Sequence, residues 1–132
     1  MFSLSASDTF YCSSIANTGW NDVNMTDNPD DPVIVFSTAS PDNARDIAHA
    51  VIGRHLAACV NCTPVRSLYR WKGEICDDEE VLMIIKTVRG RSEELIATIR
   101  TLHTAEVPEI VLLPITGGYN PYLEWIREET AS

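Results

Sequence analysis

His103, Glu106 and Glu109 bracket Pro108 late in the chain. Imidazole and carboxylate are ligand types that suit zinc, copper and nickel. The segment turns at Pro108, which allows the three side chains to converge without imposing it. The plain alternative is a helix-end histidine beside solvated or interface carboxylates. Cys59 and Cys62 have C-x-x-C spacing, which invites a redox or zinc role. A redox pair of that kind sits at a helix N-terminus, where the dipole lowers a thiol pKa. Here the pair falls in a strand-like stretch, where residues three apart face opposite ways. No second C-x-x-C completes a zinc set, so core packing is the better reading.

The remaining candidates are weaker. Asp77, Asp78, Glu79 and Glu80 are contiguous. Acid–base work needs a pocket that separates carboxylate pKa values, and a hairpin tip offers none, so a solvated charge run is expected. His49 and His55 are too far out of phase to share a helix face. His49 reads as surface and His55 as a core or interface residue. Tyr69, Trp71 and Trp125 read as core or interface anchors. The chain has neither a P-loop nor a G-x-G-x-x-G, and Gly117-Gly118 is too short for a phosphate loop. With no supported nucleophile or acid–base pair, the expectation is a non-enzyme.

The elements that must position these residues lie in one domain. The 132 residues fit a single unit, and 45% hydrophobic content supplies a core. The net charge of −9 comes with scattered bases, which argues against nucleic acid and anionic membrane surfaces. The longest apolar run, Val81 to Ile85, suits a buried strand and is far short of a membrane span. The N-terminus is a poor signal or transit peptide, so a cytoplasmic, reducing location and free thiols are expected. Residues 1–31 hold no Lys or Arg and end in turn formers. That composition predicts a disordered acidic extension, with Phe10, Tyr11, Ile15 and Trp20 able to dock on the domain or a partner. The folded domain is then 32–132.

Within it, Val33 to Thr38 reads as a strand. Ser40-Pro41-Asp42 caps a helix whose apolar stripe runs Ala44, Ile47, Ala48, Val51, Ile52, His55, Leu56. Ala58 to Trp71 is extended, and Pro64 implies a bulge or an edge. A turn at Lys72-Gly73-Glu74, a short acidic loop and Val81 to Val88 complete a hairpin. Ser92 is a cap for a second helix starting at Arg91. Ile110 to Leu113 is a fourth strand, and Asn120-Pro121 opens a last helix. The order is βαββαβ plus a C-terminal helix, an α+β ferredoxin-like pattern. That fold alone settles no role.

The stretches Ala57-Ala58-Cys59-Val60-Asn61, Ser67-Leu68-Tyr69-Arg70-Trp71-Lys72-Gly73, Glu80 to Thr87, Val107-Pro108-Glu109-Ile110 and Pro121-Tyr122-Leu123-Glu124-Trp125 resemble the CutA divalent-cation tolerance family. The likeness spans about Val33 to the end. It implies a homotrimer in which long hairpin strands pair across subunits, and a role in tolerance of copper or other divalent metal ions. It also leaves room for a protein partner. Members usually carry His-Pro-Tyr before the Glu; here His103 and Glu109 remain without the Pro and Tyr. Some bacterial members have a first-strand Cys implicated in copper binding, and Ser37 stands in that place. The resemblance therefore implies a weak metal site centred on His103 and Glu109. The rival expectation is a PII-like trimeric signalling or scaffold protein that binds a small molecule or protein between subunits.

Overall fold

The computed structural model describes residues 28–131 of the chain. The expectation of a disordered extension therefore lies almost wholly outside the described residues. The order is β1 (Pro32–Ala39), α1 (Pro41–Gly53), β2 (Cys59–Trp71), β3 (Glu74–Val88), α2 (Arg89–Leu102), β4 (Ile110–Pro114) and α3 (Asn120–Thr130). The sheet order is β2-β3-β1-β4 with every pair antiparallel. This is the ferredoxin-like βαββαβ arrangement with an added C-terminal helix, as expected.

Alternation along the strands decides the layers. Val35 and Ala39 of β1 and Met83 and Ile85 of β3 are buried with Ala44, Ile47 and Val51 of α1 and Leu95 and Ile99 of α2. That single core lies between the sheet and these two helices. Ser40 caps α1 by accepting from the Asn43 N–H, and Pro41 sits in the first turn. The helix ends in a left-handed His55, φ 59°, with Leu56 N–H returning to the Val51 carbonyl. Of the core and interface readings of His55, this removes the core one. His55 is exposed, and its Nδ1 lies 3.1 Å from the Glu129 carbonyl.

Two further readings are corrected. Ser92 does not cap α2, which begins at Arg89. Ser92 is buried in the first turn and donates to the Arg89 carbonyl at 2.7 Å. The open N–H groups of Arg89 and Gly90 instead donate to the carbonyls of Asp31 and Pro29 at 2.8 and 2.9 Å. The cap comes from residues distant in sequence. Gly90 is required there, because a Cβ would stand 2.9 Å from Pro29 Cβ and 3.1 Å from its carbonyl oxygen.

The acidic run is not a hairpin loop either. Lys72 and Gly73, with φ 51° and 81°, make the two-residue turn. Asp77 to Glu80 lie inside β3, opposite Leu68 to Val65. The register runs unbroken from Cys59↔Lys86 to Trp71↔Glu74, so Pro64 marks an edge strand and no bulge. Beyond Ala39↔Val81, β2 and β3 continue as a free two-stranded ribbon.

Candidate functional site

β1 and the α2–β4 loop meet at Thr38. Its carbonyl accepts from His103 Nε2 at 2.7 Å, and its hydroxyl donates to Glu109 Oε1 at 3.4 Å. His103 follows the end of α2, with its own N–H bonded to the Ile99 carbonyl. Its Nδ1 accepts from the Ala105 N–H at 3.0 Å. Glu109 directly precedes β4 and is half-buried. Thr38 thus brings the two predicted ligands together.

The loop is gripped from α1 by Asn43. Its Nδ2 donates to the Leu102 carbonyl, while Thr104 donates to its Oδ1. Neither Thr38 nor Asn43 stood out in the sequence. A signal for Asn43 was present: it shares the helical stripe of Ile47 and Val51, where a polar residue needs a partner. Thr38 breaks the apolar series Ile34 and Phe36 on its face of β1 in the same way.

Glu106, the third candidate near Pro108, points elsewhere. It pairs with Lys72 at the hairpin turn at 3.3 Å, with both side chains about two-thirds exposed, a pair worth under about 1 kcal/mol. It also lines an open cleft with Ala97, Arg100, Thr101, Ala105 and Pro108. Among the described residues no three His, Cys, Asp or Glu side chains gather as a metal would need. Cys59, Cys62 and Cys76 are free thiols. Cys59 and Cys62 lie on β2, three residues apart, so they cannot share an ion. Ser37 is fully buried on the core face, and its Oγ has no hydrogen-bond partner. The donor set within one chain does not fit a resident chelated metal.

The ribbon carries its own electrostatics. Arg66 pairs with Asp77 at 2.9 Å and Glu79 at 3.3 Å on one face. On the other, the Tyr69 hydroxyl donates to Asp78. That hydrogen bond, then desolvation and the nearby charge of Asp78, push the phenol above its ordinary range. Leu68 and Ile75 on the ribbon are 66% and 69% exposed. No helix among the described residues is long and apolar enough to cross a membrane.

The sequence pattern of the CutA1 divalent ion tolerance protein family matches residues 33–129. The chain belongs to the CutA1 family. It is 43% identical over 99 residues to the divalent-cation tolerance protein CutA of Thermus thermophilus, covering 74% of this chain and 96% of that one. It is 47% identical over 90 residues to human Protein CutA, covering 67% of this chain and 50% of the human protein. Against several eukaryotic relatives the match thus spans only about half of their length. Among solved CutA structures, the T. thermophilus protein superposes with a TM-score of 0.73 over 76% of this chain and 99% of that one. The PII-like protein CutA from Nostoc does so with 0.72 at 33% identity, over 75% and 97%. The family match itself runs over residues 33–129 and does not include the residues before Val33.

Proposed function

We propose that this CutA-family chain acts as a homotrimeric divalent-cation tolerance protein in the cytoplasm, without covalent chemistry of its own. The observation that carries the reading is the ribbon from Val65↔Glu80 to Trp71↔Glu74, which exposes Leu68 and Ile75. A two-stranded ribbon is marginal by itself, and open strand edges invite pairing. The sheet adds exposed Val111 and Leu113 on edge strand β4. Strand pairing between three copies covers all of these at once. Copper or another divalent ion is held weakly, with the Glu109 carboxylate as its contact on this chain. The donor chemistry supports that weak contact better than a chelate.

The test is mass by light scattering together with calorimetric titration of copper and zinc. A trimer whose saturable uptake disappears in Glu109→Ala sustains the reading. A monomer removes the assembly. A trimer without uptake removes the cation part and leaves the second reading, a PII-like scaffold with a small-molecule or protein ligand between subunits. The likeness to the PII-like CutA from Nostoc favours that alternative. A melting temperature raised by nucleotides would support it.

A further inference from the structure

We propose that His103 is a fastener that positions Glu109 through Thr38, and is not itself a cation ligand. The inference concerns the cation site proposed above, but it stands on hydrogen bonds within the chain itself. The Thr38 carbonyl can only accept, so the nitrogen 2.7 Å from it, Nε2, carries the proton. The Ala105 N–H can only donate, so Nδ1, 3.0 Å away, presents its lone pair there. The two partners together select one neutral tautomer. A metal ion needs a free ring lone pair, and the single lone pair of this imidazole is already used. The sequence resemblance implied a cation site that includes His103; its bonding partners here make it part of the scaffold.

The rest of the loop agrees. Asn43 holds the residues on both sides of His103, through the Leu102 carbonyl at 3.1 Å and the Thr104 N–H at 3.1 Å. Freeing Nδ1 means moving Ala105 away from a loop anchored at both flanks. The same Thr38 whose carbonyl takes the His103 proton gives its hydroxyl to Glu109. His103 is therefore linked to the carboxylate through Thr38 of β1.

Two measurements on the full-length protein test this. The first is nitrogen-15 spectroscopy of labelled histidine, which reports the tautomer directly. The expected spectrum of the metal-free protein shows His103 neutral and protonated at Nε2, unmoved by added zinc. The second compares His103→Gln, which keeps a donor where Nε2 stood, His103→Asn, which keeps an acceptor where Nδ1 stood, and His103→Ala. Each amide variant is expected to recover part of the melting temperature lost in the alanine variant. Both amides should take up zinc within about twofold of the parent. A zinc-induced shift of the Nδ1 resonance overturns the proposal. So do variants that melt like the parent yet lose zinc about tenfold or more. If the parent binds no zinc, the cation reading above fails, while the tautomer and the melting order still decide this one.

Discussion

Thr104 donates twice to one atom, Asn43 Oδ1: from its backbone N–H at 3.1 Å and from its hydroxyl at 3.2 Å. The same Asn43 side chain donates back to the Leu102 carbonyl, and the residue is only 8% exposed. A helix side chain thereby replaces the hydrogen bonds that the end of α2 and the following loop cannot make internally. Asn43→Ala should destabilise the protein by about 1–2 kcal/mol, since it leaves partly buried polar groups of the loop without their partner. Urea denaturation measures the loss, and hydrogen exchange at Thr104 should quicken. An unchanged midpoint would show that water replaces the amide without cost.

Gly90→Ala sets two effects against each other. Alanine gains up to about 1 kcal/mol from helix propensity. Its methyl, however, would meet Pro29 Cβ at 2.9 Å and Pro29 O at 3.1 Å, a ring atom and a backbone atom that do not swing aside. Overpacking of this kind costs about 1–3 kcal/mol, so a net loss is expected. Faster exchange of the Gly90 amide should accompany it, because that N–H is held by the Pro29 carbonyl. A stabilised variant would mean that residues 28–31 pack here only loosely.

Ser37 makes the opposite prediction. Its hydroxyl is fully buried and unpaired, so Ser37→Ala removes an uncompensated polar group. Stability should hold or rise by up to about 1 kcal/mol. A clear loss in chemical denaturation would reveal a hydrogen bond that the hydroxyl makes in solution.

Tyr69 should ionise only above the ordinary range of a phenol. Its hydrogen bond to Asp78, helped by desolvation and the Asp78 charge, raises the phenol pKa on folding. The folded chain thus holds this proton more tightly than the unfolded chain. The stability this adds is complete below about pH 10, the unfolded value, and drains as pH climbs toward the raised one. Tyr69→Phe should lose that alkaline dependence and remove a step above the ordinary phenol range from the ultraviolet phenolate titration. A titration that keeps this step in the variant would locate the raised group elsewhere.

Leu68→Asp combined with Ile75→Asp tests the assembly surface. Both side chains are about two-thirds exposed on the ribbon, so folding of a single chain should change little. In a trimer, charges buried against a neighbour are costly, and light scattering should show a smaller species. A variant that keeps the parent mass would free the ribbon from the interface.

Some of this was decided along the sequence itself. A continuous β-branched apolar run in Val33 to Thr38 and a period-3.6 apolar stripe from Ala44 to Leu56 name their elements. Ser40-Pro41 states its cap locally, and Ser40 does accept from Asn43. The order of elements and the family motifs were legible for the same reason. Other features depended on partners far away in the chain. Ser92 looked like a cap because serine usually is one, but Asp31 and Pro29 had already taken the open N–H groups. The run from Asp77 to Glu80 looked like a loop because charge is usually solvated. Arg66 and Tyr69, eleven and nine residues from their partners Asp77 and Asp78, hold it within a strand. His103 and Glu109 were visible as ligand types, but ligand type does not say which lone pairs remain open. Only the fold brings Thr38 and Ala105 to His103, and hydrogen-bond direction then decides what the imidazole can still do.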